Sequence, residues 1–386
     1  MAFLDPLLAQ EIVTRTMRII EYNVNVMDAQ GTIVGSGEPS RVGELHEGAL
    51  LALTQGRTVE VDEAMTDRLR GARPGINLPL RLEGQIVGVV GLTGKPSQVR
   101  RYGQLVRMTA EMMLEQAKLM RLLARDSRLR EELVLHLIRS DDTTAELDDW
   151  AQRLGVNLKQ PRIATVIEID SGTLGVDAAL AEIQQLQTLL TTPERDNLIA
   201  TVSLTELVVL KPTRVPHNQR ELEQHRARVE VLLSRMRESS KLGMRIALGH
   251  FFPGPGGIAR SYRTARTTLQ VGKQRHPERQ AFFYQDLVLP VLLDSLKTGW
   301  QADELRRSLT RLVSQDGNGV FRKTLTQWFA NDTQALITAQ ALNIHRNTLD
   351  YRLRRVEELT DLNLERFDNR LLLYIALLLE DGSKSE

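Results

Sequence analysis

Apolar and polar positions alternate with two different periods over the first 95 residues, and each change of period marks a new element. Residues 7–21 carry apolar side chains at helical spacing and predict an amphipathic helix. "NVNVMD" and "GTIVGSG" then alternate residue by residue on either side of an Ala-Gln-Gly turn, the pattern of two short strands. "SRVGELHEGALLALTQG" returns to helical spacing, with Ser40 placed to cap its start. "GINLPLRLEGQIVGVVGLTG" predicts a hairpin, because two β-rich runs flank Glu83-Gly84, a favourable two-residue turn. Alternation sets Asn77 and Pro79 on the face opposite Ile76, Leu78 and Leu80. The result is a small α+β unit around an antiparallel sheet.

From Tyr102 to about Ile138 no proline interrupts a run rich in Leu and Met: Leu105, Met112, Met113, Met120, Leu123, Leu129, Leu133 and Leu137. It predicts one long helix, or two joined near Asp126-Ser127. The apolar steps of three and four drift in register, so a heptad is only partly supported. The pattern fits a helix packed on its own domain and equally a helix that pairs two subunits and carries a signal. Between about 160 and 285, strand runs such as "RIATVIEI", "NLIATVSLTELVVLKP", "MRIALGHFF" and "AFFYQDL" alternate with helical ones, which favours a mixed sheet with helices against it. After 286 the strand patterns stop, and helices run on with breaks at "KTGWQ", "SQDGNG" and "AND". The expected domains are 1–138, whose long helix starts at about 102, then 150–285, then 287–386.

Composition narrows the partners. At 386 residues the chain holds two or three domains, and Lys+Arg 50 against Asp+Glu 49 leaves a net charge of +1. No global field draws it to nucleic acid or an anionic membrane, so any such binding needs a local patch. Cysteine is absent, which excludes disulfides and thiolate metal sites and suits a reducing compartment. "MAFLDPLLAQEIV" lacks a basic start and interrupts its apolar part with Asp5 and Pro6, unlike a signal peptide. The longest apolar run, "LLLYIALLL", is too short to cross a bilayer. A cytoplasmic protein with no membrane partner is expected.

The local patch is "TAQALNIHRNTLDYRLRRVEELT", residues 338–360, inside a helix-turn-helix expected at about 334–360. Ala335, Ala339 and Leu342 allow close helix contact, and Asn343 sits at the turn, where a left-handed conformation is needed. Leu349, Leu353, Val356 and Leu359 share one side of the second helix. Asn347, Asp350, Tyr351 and Arg354 take the other, flanked by Arg346 and Arg355. Asn reads an adenine edge and Arg a guanine edge, while Thr348 and the first-turn amides suit phosphate. A solvated basic face on a core helix has the same residues, but the turn, the small residues and the polar cluster occur here together. The stretch closely resembles the C-terminal helix-turn-helix of the purine catabolism regulator-like family. The match falls on Thr338, Ala339, Leu342, Ile344, His345, Arg346, Asn347, Thr348, Leu349, Tyr351, Arg352 and Leu353. The resemblance implies DNA contacts from His345, Arg346, Asn347, Thr348, Tyr351, Arg352, Arg354 and Arg355.

"GSGEPSRVGELHEGAL", "PGINLPLRLEGQIVGVVGLTGKPSQVRRYGQL" and "MTAEMMLEQ" resemble the sugar-diacid recognition domain of the carbohydrate diacid regulators, a branch of that family. The resemblance implies a PAS/GAF-like sensor, an activator of genes for galactarate, glucarate and glycerate use, and a small hydroxy-carboxylate as inducer. Candidate ligand residues are Ser36, Arg41, His46, Asn77, Gly91 and Thr93. Arg41 offers a charged donor pair and His46 an imidazole, a helix starting near Ser40 aims amides at an anion, and Asn77 and Thr93 suit hydroxyls. Gly88, Gly91 and Gly94 permit close approach to the sheet. The competing reading makes Arg41 a surface residue, His46 a satisfied core histidine and the glycines plain strand features.

Enzyme motifs fail. In "GLTGKPS" a P-loop needs glycine where Val89 stands and a hydroxyl where Pro96 stands. "FFPGPGGIARS" lacks dinucleotide spacing. The middle unit resembles a degenerate GGDEF-like α/β domain, but its hairpin reads "SLTEL" at 203–207, keeping Glu206 and losing the turn glycines. Glu168 and Asp170 could still form a metal site, but an acidic strand end is usually just solvated. No catalytic residue, metal ligand or cofactor is assigned. The favoured reading is a homodimer in which ligand in residues 1–95 shifts the long helix and so the spacing of two helix-turn-helices on an operator. The alternative is a nucleotide-binding or cyclase-like signalling protein with a helical protein-interaction domain.

Overall fold

The computed structural model describes residues 4–66, 68–70, 72–142, 144–170, 176–191, 196–213, 219–239 and 243–380. It divides into two compact units, residues 1–127 and 128–386.

The first unit opens with α1 (Pro6–Met17). The Asp5 carboxylate caps it, accepting from the Leu8 amide at 2.8 Å, and Pro6 fills the first turn, where an amide has no helical partner. Then come β1 (Val24–Met27), β2 (Ile33–Ser36), α2 (Glu47–Gln55), β3 (Val59–Val61), α3 (Glu63–Thr66), β4 (Gly75–Leu82), β5 (Gln85–Thr93) and α4 (Pro96–Arg139). The strands form one antiparallel sheet in the order β2-β1-β5-β4-β3. The hairpin turn has positive φ at Glu83 (52°) and Gly84 (81°), as a two-residue turn between twisted strands requires.

Three expectations need correction. Ser40 caps no α-helix: Pro39–Arg41 is a single 3-10 turn, and α2 starts at Glu47 with His46 as its cap. The segment between is tied to β2, since the Gly43 amide donates to Ile33 O at 2.8 Å and the Ile33 amide to Glu44 O at 2.9 Å. The long helix begins at Pro96, six residues before Tyr102, and runs unbroken through Asp126-Ser127. β3 and α3 carry no sequence signal, being too short for a period to register.

Both faces of the sheet are covered. Ile76, Leu78 and Leu80 pack with Ile12 of α1 and Val106 of α4 on one side. Met27, Val59, Val61 and Val89 pack with Ala49 and Ala52 of α2 on the other.

The second unit holds α5 (Ala145–Arg153), β6 (Arg162–Asp170), α6 (Val176–Leu190), β7 (Leu198–Ser203), β8 (Glu206–Pro212), α7 (Gln219–Ser239), β9 (Gly243–Leu248), α8 (Gly257–Arg275) and β10 (Ala281–Phe283). Its sheet runs β10-β9-β6-β8-β7, with β9 and β10 parallel and the other pairs antiparallel. Leu133 and Leu137 from the end of α4, Leu147 of α5 and Leu269 of α8 fill one face. Ile183 and Leu186 of α6 with Val229 and Leu233 of α7 fill the other. The helical part follows as α9 (Val288–Asp294), α10 (Trp300–Gln315), α11 (Val320–Ala330), α12 (Ala335–Ala341), α13 (Arg346–Thr360) and α14 (Phe367–Glu380). Leu309, Leu325, Trp328, Val356, Leu359 and Leu373 form its core. The mixed architecture is the α+β sensor, α/β middle and all-α end that the pattern predicts.

The packing of α1 on β2 is set at Gly35, where an added Cβ would lie 2.7 Å from the Ala9 carbonyl carbon and 2.8 Å from its oxygen. Gly35→Ala must push the α1 backbone away, and we expect a loss of about 1–3 kcal/mol in urea unfolding. Wild-type stability in that variant would mean that α1 is not seated this closely.

Candidate effector cluster and DNA-reading helix

A sheet buried on both faces places side chains of one row in register across all its strands. In the first unit one such row reads Ser36, Asn25, Gly91, Asn77 and Val59, paired in turn along β2, β1, β5, β4 and β3. It lies on the face covered by α2. Ser36, Asn25 and Asn77 are all buried, in a place where apolar side chains would ordinarily stand. Asn25 was not singled out from the sequence, although the alternation of "NVNVM" separates it from Val24 and Val26.

Two charged or titratable groups close on this row. Arg41 is only 5% exposed, so the reading of it as a surface residue is overturned. Its Nε donates to Glu44 Oε2 at 3.3 Å. With the Asn25 amide turned to suit its neighbours, Oδ1 accepts from Arg41 Nη1 at 3.3 Å and Nδ2 donates to Ser36 Oγ at 2.6 Å. His46 caps α2, its Nδ1 accepting from the Ala49 amide at 3.1 Å, so the neutral ring carries its proton on Nε2. Burial first, and the Arg41 charge second, hold this imidazole down at about 4.

Two glycines let these groups draw close to the sheet and to one another. A Cβ at Gly48 would sit 3.0 Å from Asn77 Nδ2 and 3.1 Å from His46 Cε1. A Cβ at Gly91 would sit 3.0 Å from Asn77 Oδ1, an atom that is buried and has no hydrogen-bond donor among the described residues. A permanent cation, a neutral donor ring and an amide acceptor without a donor are groups that suit a small anion bearing hydroxyl groups. Ser36, Arg41, His46, Asn77 and Gly91 are thus brought together. Thr93 stands one pleat further along β5, opposite Gly75 and outside the row. Gly88 and Gly94 serve packing, since a Cβ would meet Met27 O at 2.4 Å in the first and Val99 Cγ1 at 2.7 Å in the second.

In the second unit, Asn343 has a φ of 52° at the turn between α12 and α13, the left-handed conformation its position calls for. Leu349, Val356 and Leu359 are buried beneath α13, with Thr338 and Ala339 of α12. Asn347, Tyr351 and Arg354 stand exposed on the outer side, Tyr351 by 64%. Arg346 lies 4.0 Å from Asp350, and Arg355 pairs with Glu358 at 2.6 Å; such exposed pairs are weak and yield readily to phosphate. His345 caps α13, its Nδ1 accepting from the Asn347 amide at 3.2 Å, and Thr348 is exposed in the first turn. Arg352 departs from its expected role. It falls on the packed side of the helix and donates to Thr324 Oγ1 of α11 at 3.3 Å, so it steadies α13 rather than facing outward.

In the middle domain, Glu206 accepts from the Tyr262 hydroxyl at 2.6 Å and lies 3.5 Å from Arg266 Nε. Burial and that carboxylate push the Tyr262 hydroxyl's titration upward. Glu168 is held by Lys273 at 2.7 Å and Arg245 at 3.7 Å. Both carboxylates that remain of a cyclase-like pattern are therefore committed to cations or a phenol.

The His46 geometry has a thermodynamic signature. Its folded value is depressed, so the unfolded chain takes up the proton first, and stability present above about pH 6.5 is lost as pH falls toward 4. The full loss approaches roughly 3 kcal/mol, and His46→Gln should flatten the pH dependence of urea unfolding over that window. An unchanged slope in the variant would assign the acid sensitivity to other groups.

Comparison with known proteins agrees with this layout. The chain matches a "putative sugar diacid recognition" model over residues 4–137, a "GGDEF-like domain" over 139–271 and a "PucR C-terminal helix-turn-helix domain" over 321–379. It is 62% identical over 378 residues to the carbohydrate diacid regulator of Escherichia coli K12, covering 98% of each chain. It is 36% identical to an uncharacterized protein of Haemophilus influenzae, covering 98% of this chain and 99% of that one. The DNA-binding transcriptional activator AdeR of Bacillus subtilis is 26% identical over 63% of this chain and 56% of its own. A solved regulator of polyketide synthase expression from Bifidobacterium adolescentis superposes with a TM-score of only 0.29 at 18% identity, over 67% of this chain and 94% of its own, too distant to add to the fold. With near full-length identity to one such regulator and all three domain models in order, the chain belongs to the carbohydrate diacid regulator family of transcriptional regulators.

Proposed function

We propose that this protein is a cytoplasmic, homodimeric activator of genes for the uptake and breakdown of sugar diacids and glycerate, switched by a small hydroxy-carboxylate bound in the first unit. The observation that carries the reading is the buried polar row beside Arg41 and His46, inside the segment that matches a sugar diacid recognition model. One carboxylate of galactarate, glucarate or glycerate replaces Glu44 or joins it on Arg41. A neighbouring hydroxyl donates to Asn77 Oδ1, and His46 Nε2 donates to a second oxygen. Thr93 borders this site without forming its centre. On the other side, Arg346, Asn347, Tyr351 and Arg354 read base edges, Thr348, His345 and Arg355 hold phosphates, and Arg352 keeps the helix in place. The middle domain performs no catalysis in this scheme, and no cofactor enters it. Ligand acts only by binding one arrangement of the dimer more tightly than the other.

Calorimetry and thermal shift with galactarate, glucarate and glycerate, and with GTP and Mg²⁺ as a control, test the sensor. A ligand bound to the native state raises its melting temperature. Arg41→Ala leaves the ligand carboxylate without its charge-assisted donor, and we expect about 10–100-fold weaker binding with operator affinity intact. Gly91→Val, whose side chain presses on Asn77 Oδ1, should do the same. Wild-type affinity in both variants would place the effector elsewhere, and GTP turnover would overturn the non-enzymatic reading.

For the DNA-reading face, Asn347→Ala and Arg346→Ala should each weaken operator binding about tenfold or more at fixed salt, with folding unchanged. Arg352→Ala should instead lower the unfolding midpoint of the second unit. If Arg352→Ala lost specificity without loss of stability, the assignment of its side would be reversed.

A further inference from the structure

The long helix carries two apolar stripes, and the first unit uses one of them. Val99, Val106, Ala110, Met113 and Leu114 are buried in its core. On the opposite side Leu105, Met108, Met112, Leu119 and Leu122 stand 58%, 56%, 63%, 57% and 47% exposed. Their steps of three, four, seven and three keep a strict heptad, with Glu115 at the single position between that would complete it. The drift in register noted from the sequence arises because apolar residues of both stripes overlap in one string of letters.

We propose that this outer stripe is a self-association seam: two copies of the chain pair their α4 helices, parallel and in register, along Leu105, Met108, Met112, Leu119 and Leu122. The inference rests on the homodimeric reading above and says where that dimer is held. Three features argue for a second copy as the occupant. A heptad seam is self-complementary, so the surface that offers it also accepts it. With the adjoining Leu123 it exposes about 600 Å² per chain, the larger part of the ~800 Å² that each partner of a stable interface contributes. The acidic Glu111 and Glu115 along it disfavour an anionic lipid surface. Parallel pairing sends both chains out of the seam in one direction, each toward its own helix-turn-helix. It also sets the two Glu115 carboxylates against each other, which weakens the seam and keeps the pairing adjustable.

Sedimentation of the full chain at micromolar concentration tests this without ligand or DNA. Wild type should be a dimer. Met112→Glu with Leu119→Glu should raise its dissociation constant by at least about tenfold, and Glu115→Leu should lower it. Circular dichroism checks that the variants fold, which the exposure of these positions favours. The chain has no cysteine, so single Leu105→Cys and Leu122→Cys variants report pairing without background. In a parallel seam each cross-links to its own copy on oxidation, whereas Ala124→Cys, on the other side of the helix, does not. Failure of both end positions alongside cross-linking of Met112→Cys would overturn the parallel arrangement. A dimer that survives the double glutamate variant would overturn the seam while leaving the homodimer intact. A wild-type monomer would remove the homodimer itself, and flotation of that monomer with anionic vesicles would hand the stripe to lipid.

Discussion

A sheet covered on both faces has no water to offer the polar groups inside it, and this constraint governs the first unit. α1 and α4 lie on one side and α2 on the other, so Asn25, Ser36 and Asn77 must find partners within the protein or leave hydrogen bonds unmade. They partly succeed: Asn25, Ser36 and Arg41 bond to one another, while Asn77 Oδ1 finds no donor among the described residues. A core optimised only for stability would carry Val or Leu across that row, as it does on the opposite face. Keeping amides, a hydroxyl and a buried guanidinium there costs folding free energy, and a ligand that supplies the missing donor and a countercharge offsets the cost on binding. In the proposed reading, folding and sensing draw on the same few side chains.

The sequence displayed the elements more clearly than the site. Strand alternation, the Glu83-Gly84 turn and the αβ order of the middle domain were readable because each depends on neighbours close in the chain. Arg41 was harder. A charged residue flanked by Ser and Val looks exposed, and its burial follows from β2, the Gly43 segment and Asn25 meeting in space, which no local pattern encodes. Asn25 escaped notice for the same reason, though its place opposite Val24 and Val26 was an available sign. Ser40 misled because a good capping residue says nothing about whether the following segment is claimed by a strand. On α13 the family match named Arg352 with its neighbours, whereas the helical phase puts it on the packed side with Thr324. Angular position separated roles that a motif lists together.

The middle domain keeps its acidic side chains occupied. Its hairpin keeps Glu206 and its first strand keeps Glu168, yet Tyr262, Arg266, Lys273 and Arg245 occupy them. These contacts join helix α8 to the sheet. One of the domain's two cores receives the end of α4 through Leu133 and Leu137, and the other is filled from α6 and α7.

The depressed titration of His46 bears on what the protein can be made to notice. With its imidazole neutral down to about pH 4 and Arg41 a cation throughout, the cluster keeps one charge state over the whole range in which a cell lives. Hydroxy-acid carboxylates, ionising near pH 3–4, are likewise fully charged there. Neither side of the proposed encounter would change charge as its surroundings acidify within that range. A sensor built in the proposed way would report how much effector is present, and not the acidity around it.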